Sequence, residues 1–294
     1  MCVNIMDEKI LEKYRKAGKI ASQARELGKS LVKEGAKVLD IAEAVEAKIR
    51  ELGGEPAFPV NISLNEVAAH YTPTKNDELV VRANDYVKID VGVHVDGYIG
   101  DTAVTVRPAG KDKMIECSEA MLATAIPLFT PGRKISEIGE AIEAVARERG
   151  FNVITNLTGH GLEQWNVHAN PSIPNVKNNS EEVLVDGQVL ACEPFCTSGR
   201  GLVKDADPTL IFKFLKDVPV RSQIARKILA FGRKQNGLPF AKRWVGGGTV
   251  TELALRELLQ RGGLHGYKVL KDSGAVCQTE HTIIVGATPE VTTE

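Results

Sequence analysis

Leu11, Tyr14, Ala17, Ala21, Ala24, Leu27 and Leu31 recur at helical spacing with Gly35 just beyond, so residues 7–33 read as one long amphipathic helix. A second helix is predicted over 39–52, stopped by Gly53-Gly54, and the same period returns over 114–130 and 136–149. β-rich patterning takes over at Val87 to Val95 and Tyr98 to Val106, joined by Asp96-Gly97, the dipeptide favoured in a two-residue type I′ hairpin. Further strands are expected near Val153, over 183–192 and over 279–285. Between the last two, 196–272 carries helical patterns at about 221–234 and 251–260, broken at Gly246-Gly-Gly248 and Gly262-Gly263. It reads as an inserted helical subdomain in a unit made of 1–195 and 273–294.

Two of the predicted helices repeat each other. Residues 35–53 laid over 132–150, an offset of 97, give ten identities in nineteen positions, with glycine at both ends of each copy. This pattern indicates an internal duplication. Downstream, Asp85-Tyr-Val-Lys-Ile-Asp90 parallels Gln188-Val-Leu-Ala-Cys-Glu193, so each copy ends a strand in a carboxylate. Halves that face one another would bring those carboxylates to a shared cleft.

Composition narrows the class. With 294 residues, 43% apolar and 26% charged, the chain can build a large core and a cavity. No apolar run approaches the roughly 18 residues of a membrane span, so no membrane partner is expected. Asp7 and Glu8 precede any long apolar stretch, which argues against a secretory or transit leader and makes the cytoplasm the expected compartment. Five cysteines, scattered and without a C-x-x-C pair, suggest neither a disulfide framework nor a zinc ribbon. They are expected as small buried hydrophobes in a reducing compartment. The net charge of −1 hides an asymmetry: 196–272 holds fifteen basic and six acidic residues, and Arg221 to Arg243 holds seven basic and no acidic ones. Such a run is commonly a solvated helix face, and it is also a partner signal.

The hairpin sets up the candidate chemistry. A two-residue loop at Asp96-Gly97 places Asp101 opposite Gly92, with Asp90 diagonally across on the same face, unless a bulge at Gly100 breaks the register. Two such carboxylates would repel one another or share a cation, with Gly92 leaving the space open. On the hairpin alone a solvated sheet face explains them as well. Gly159-His160-Gly161 adds an imidazole between glycines, and Glu193 and Glu280 each lie inside an otherwise apolar strand. Four acids at strand positions around one histidine are better explained by cations than by separate salt bridges. Oxygen-rich ligation with one imidazole suits a catalytic pair of Mn, Co, Fe or Zn ions rather than a structural zinc.

Asp90, Asp101, His160, Glu193 and Glu280, in this order, resemble the five metal ligands of the methionine aminopeptidases. The likeness extends over nearly the whole chain through Pro56-Ala-Phe-Pro-Val-Asn-Ile-Ser-Leu-Asn-Glu-Val-Ala-Ala-His70, Gly159-His-Gly161, His168 with Ser172-Ile-Pro-Asn175, and Glu280-His-Thr282. An insertion before the last ligand strand resembles the type II branch, and the absence of a long polar extension resembles its archaeal form. The resemblance implies an α/β (α+β) pseudo-twofold "pita-bread" aminopeptidase/creatinase-like fold, here with the inserted subdomain. It implies two divalent metal ions, a monomer, and removal of the initiator methionine from nascent chains with a small second residue, by a metal-bridged water attacking the peptide carbonyl. Thr279 departs from the family, which often has an aromatic there, and this bears on the packing behind Glu280.

The resemblance also implies roles. Glu193 would act as general base while touching the metal, His168 would stabilise the oxyanion, and His70 would orient the substrate amide. Phe58, Val167, Phe195 and Tyr267 resemble the lining of a methionine pocket, with His70 and His168 also contacting substrate. Individually the four apolar residues are ordinary core residues, and either histidine could be structural. Rival readings are an Xaa-Pro peptidase of the same fold, whose chains carry a further domain ahead of the catalytic one, and a non-catalytic relative that grips ribosomal RNA through the basic insertion. The last would be expected to lose ligands. Ribosome docking by an active enzyme is compatible with both charge and chemistry.

Overall fold

The computed structural model describes residues 7–294; residues 1–6, part of the leader expectation, lie outside it. No helix among the described residues is long and apolar enough to cross a membrane. The predicted helices are α1 (Glu8–Leu31), α2 (Val38–Glu51), α3 (Lys113–Ala125) and α4 (Ile135–Glu148). Side chains of Asp7 and Asp112 accept backbone N–H bonds at the starts of α1 and α3. Helix α3 stops short of the predicted end and tightens into a 3₁₀ turn at Ile126–Leu128, where Pro127 withholds a donor.

The duplication is visible in the hydrogen bonds. Neither α2 nor α4 has a side-chain N-cap; a following loop pins each entrance instead. Gly35 N donates to Val81 O (2.8 Å) and Val81 N to Ala36 O (2.9 Å), while Gly132 N donates to Leu184 O (2.8 Å) and Leu184 N to Arg133 O (2.9 Å). The glycines that bracket the repeats have φ of 82° and 81° in one copy and 80° and 79° in the other, a left-handed conformation that explains why glycine recurs there.

Each helix pair covers its own antiparallel sheet. In the first half, Val87–Val95 pairs with Glu55–Pro56, Asn61–Leu64 and Tyr98–Val106, over a core that includes Ala24, Ile41, Val45, Ile62, Ile89 and Val91. In the second, the order is Glu290–Val291, His281–Ile284, Val189–Cys192, Thr158–Glu163, Asn166–Pro174, over a core that includes Met121, Ile138, Ile142 and Ile283. An isolated bridge between Ala103 and Glu280 joins the two sheets. Buried Lys88 adds a second tie, its Nζ donating to Val276 O (2.9 Å) and Asn65 O (3.1 Å).

The inserted segment differs from its helical reading. Its helices α5 (Gln223–Lys234), α6 (Lys242–Val245) and α7 (Gly248–Gln260) are flanked by a long antiparallel ribbon, Lys204–Phe214 with Leu264–Lys271. The strand was hard to see because only Leu210–Phe212 of it is buried, while Asp205, Asp207 and Pro208 imitate a turn. The segment has its own apolar cluster, centred on Phe212, Ile228, Phe240, Leu255 and Leu258. Its ribbon continues onto Val67–Ala69 of the first half, which sets Tyr267 near His70.

Of the basic run, Arg221, Arg226, Lys227, Arg233 and Lys234 are exposed as expected. Arg243 is not: it is buried against Glu46 of α2, and it also donates to Thr72 Oγ1. Glu46 further accepts from Trp244 Nε1 (2.9 Å) and Val60 N (3.2 Å). Its counterpart in the repeat, Glu143, accepts from Lys177 N at the surface (2.9 Å). Glu46→Ala strands a buried guanidinium and should lower stability by about 3–5 kcal/mol, against ~1 kcal/mol for Glu143→Ala. Urea unfolding of the two variants checks this, and equal losses would reject the pin.

Candidate metal centre

The hairpin register places the first two acids. Asp96 and Gly97 have φ of 53° and 85°, the type I′ signature, and the ladder runs unbroken with Gly92 opposite Asp101 and Ala103 opposite Asp90. No bulge occurs at Gly100. The space at Gly92 is not open as expected. A Cβ there would lie 2.2 Å from the Phe58 ring, so the missing side chain makes room for an aromatic one.

His160 lies within Thr158–Glu163 and pairs with Ser172 and Ala191. A Cβ on Gly159 would meet Ala191 O at 2.2 Å, and one on Gly161 would meet Asn170 O at 2.3 Å, so the flanking glycines let both neighbouring strands close in. Glu193 follows directly on Val189–Cys192, and Glu280 precedes His281–Ile284. Glu193 Oε1 lies 3.3 Å from His160 Nε2, and Asp101 Oδ2 lies 4.0 Å from it. Ligand atoms of Asp101, His160 and Glu280 all fall within 4.8 Å of one another.

One cavity is lined by these five residues and by His70, His168, Phe58, Val167, Phe195 and Tyr267. Phe58, Val167 and Phe195 are buried, whereas His168 is exposed. The His168 ring stands edge-on to His160 at 4.7 Å, and Tyr267 lies 5.5 Å from His70 and 6.3 Å from His168. Thr279, the departure from the family's frequent aromatic, places its hydroxyl 2.7 Å from that of Ser118 in α3.

The electrostatics call for positive charge. Burial, and then Glu193, pushes Asp90 well above the usual carboxylate range; burial and then Asp90 does so to Asp101. Burial followed by Asp101 and Glu193 raises Glu280. Burial draws His160 down, but Glu193 and Asp101 outweigh it and the net shift is upward. Asp90 Oδ1 and Asp101 Oδ1 are buried without a hydrogen-bond partner. Acids crowded in a dry cavity can be neutralised by protons or by cations, and the two orphaned oxygens with one nearby imidazole fit divalent cations.

Fold and cavity together define a metallohydrolase scaffold. The chain belongs to metallopeptidase family M24, whose model matches residues 12–287. It is similar to a methionine aminopeptidase of Pyrococcus horikoshii, with 49% identity over 283 residues covering 94% of this chain and 96% of that one. A methionine aminopeptidase structure from Thermotoga maritima has the same fold, with a TM-score of 0.74, 22% identity and 99% of both chains covered. A prolidase from Pyrococcus furiosus shares the fold at a TM-score of 0.63 and 16% identity, covering 99% of this chain and 66% of that one.

Two residues that brace Glu193 and Glu280 had no role assigned from the sequence. Buried Gln278 donates from Nε2 to both Glu193 Oε2 (3.3 Å) and Glu280 Oε2 (3.2 Å). Asn175 Nδ2 donates to Glu193 O (3.2 Å) and Leu157 O (3.0 Å). Period-two spacing was the available signal for Gln278, because residues 278 and 280 share one side of an extended chain. Gln278→Ala should weaken divalent-metal binding roughly 10–100-fold, the usual effect of removing a partner that orients a ligand. Calorimetric titration of metal-stripped protein checks it; unchanged affinity would show that the amide does not position the carboxylates.

Proposed function

We propose that the protein removes N-terminal methionine from peptides and nascent chains with a small second residue, using two divalent cations held by Asp90, Asp101, His160, Glu193 and Glu280. The carrying observation is one cavity whose lining joins four carboxylates and an imidazole to Phe58, Val167, Phe195 and Tyr267, side chains we read as an apolar recess for methionine. Bound cations would polarise the scissile carbonyl and supply a water that loses its proton near neutral pH.

The chain's own groups do the rest. Glu193 is half-buried, with one oxygen toward His160 and the other held by Gln278, a placement from which a carboxylate can take a proton from water and return it to the leaving amine. His70 Nδ1 lies 3.0 Å from Lys268 O; a neutral imidazole that donates there keeps Nε2 as an acceptor for a substrate amide N–H. His168, exposed in the cavity beside His160, can donate to the developing oxyanion.

The Xaa-Pro reading is disfavoured by sequence likeness, 49% identity to the Pyrococcus horikoshii methionine aminopeptidase against 16% to the prolidase that shares the fold. Cytoplasmic residence is supported by four buried, free cysteines, Cys117, Cys192, Cys196 and Cys277, as in a reducing compartment. The exposed basic residues of α5 support docking near the nascent-chain exit by phosphate contacts.

Chelator-stripped protein should release no methionine from Met-Ala and Met-Gly peptides, regain activity on adding Co, Mn, Fe or Zn, and leave an Xaa-Pro dipeptide intact. Full activity after stripping, or preference for the Xaa-Pro substrate, would overturn the assignment. Phe58→Ala removes one wall of the recess and should reduce discrimination of methionine over shorter side chains by roughly 10-fold or more; competition between two peptides in one assay measures the ratio. Reversing Arg226, Lys227, Arg233 and Lys234 should abolish ribosome co-sedimentation, and retention would refute docking.

A further inference from the structure

Both tryptophans of the chain, Trp165 and Trp244, line one surface groove apart from the catalytic cavity, with Phe231, His94, Arg50 and Lys234. Each indole is fixed yet half-exposed. Trp165 has φ of 62°, a left-handed conformation that bulky residues avoid, and its backbone N–H donates to Gly97 O at 2.9 Å. The indole rests on Gly97, where a Cβ would lie 2.4 Å from the ring, and His94 stands edge-on at 4.9 Å. Trp244 is tethered by its Nε1 bond to Glu46. Trp165 packs on the cluster that includes Tyr14, Phe58 and Leu162, and Trp244 on the one that includes Phe240 and Leu258, each leaving part of its ring to solvent in the groove.

Helix α5 supplies the matching charge. Lys227, Phe231 and Lys234 stand at i, i+4 and i+7, one helix face on which an aromatic ring lies between two cations. Both lysines are exposed and make no ion pair among the described residues. Glu55, the acid lining the groove, is paired with Arg50 at 3.4 Å. Planar rings alternating with unpaired cations match a polyanion that carries planar rings of its own. An acidic peptide would satisfy the lysines and leave the indoles without a stacking partner, and a duplex hides its base faces.

We propose that this groove binds single-stranded RNA, with bases stacked on Trp165 and Trp244 and phosphates at Lys227 and Lys234. The choice of RNA rests on the ribosome-docking reading and gives it a specific contact.

Because both emitters lie in the groove, oligouridine of about a dozen nucleotides should quench the intrinsic tryptophan fluorescence of the full-length protein, and salt should reverse the quenching. Anisotropy of labelled oligouridine gives the affinity. Trp165→Asn removes the ring while keeping a residue that accepts the left-handed turn, and should weaken binding about tenfold. The Lys227→Glu/Lys234→Glu double variant should weaken it at least as much and flatten the salt dependence. Both variants should keep peptidase activity, which verifies their folding. Absence of quenching, wild-type affinity in Trp165→Asn, or tighter binding of a duplex or of oligothymidine would overturn the proposal. Oligouridine binding by the wild-type protein that Trp165→Asn and Lys227→Glu/Lys234→Glu weaken, beside unchanged ribosome co-sedimentation of the charge-reversed protein, would reject the docking reading and leave the groove standing.

Discussion

Ala103 and Glu280 exchange backbone hydrogen bonds of 3.3 and 3.0 Å across the line where the two half-sheets meet, and the geometry of the acidic cavity follows from that seam. Threonine hydroxyls sew it on both sides. Thr282 Oγ1 accepts from Asp101 N (2.7 Å) and donates to Asp101 O (2.8 Å), Thr102 Oγ1 donates to Glu280 O (2.8 Å), and Thr105 Oγ1 bonds both N and O of Gln278 at 2.8 Å. A buried hydroxyl that both accepts and donates leaves little freedom to the backbone it holds. Asp101 and Glu280 belong to different halves, yet their main chains are fixed to one another almost as partners in a single sheet. The side chains that leave this seam enter the cavity with their spacing already set.

Duplication supplies the symmetry of the scaffold, and the insertion breaks it where function requires. Glu46 and Glu143 occupy the same place in the repeat, but Glu143 ends at a surface amide while Glu46 anchors Arg243 and Trp244 of the insertion. The insertion reaches the cavity from its other end, through the ribbon that pairs with Val67–Ala69 and brings Tyr267 beside His70. One buried ion pair and one strand pairing thus orient a segment with its own core against a pseudo-twofold body. The mouth of the cavity becomes asymmetric, as a site that must distinguish the two ends of a peptide requires.

Local physics made much of this legible in the sequence. The hairpin of 87–106 was readable because Asp96-Gly97 fixes turn type, turn type fixes register, and register fixes which residues oppose one another. The repeats were readable because left-handed backbone at both ends demands glycine. What escaped were contacts set by distant chain segments. Strand Lys204–Phe214 lies largely exposed and takes its form from the ribbon rather than from its own pattern. Gly92 was read as empty space, when Phe58 from a separate segment fills it. Arg243 looked like one more cation in a basic run, and its burial depends on a glutamate 197 residues away. Convergence at the cavity was inferred from the repeat and from acids set in apolar strands, whereas the roles of His70, His168 and the apolar lining came only with the resemblance.

The cavity is where sequence and fold conflict, and the conflict is informative. A core of this size would be more stable with apolar residues in place of Asp90, Asp101 and Glu280, whose charged forms are disfavoured first by burial and then by neighbouring carboxylates, Glu193 included. Gln278 and Asn175 do not relieve that repulsion: the Gln278 amide fixes the carboxylates of Glu193 and Glu280, and the Asn175 amide holds the Glu193 main chain, without neutralising either acid. Structural ion pairs would place arginine or lysine among the acids, as the same chain does with Arg243 at Glu46, but among the described residues neither lines this cavity, and of its histidines His160 is the one beside the carboxylates. A fold that holds acids apart by bonded spacers and withholds permanent countercharge keeps the place of the cation open. That combination separates a metal-binding cavity from a buried salt bridge.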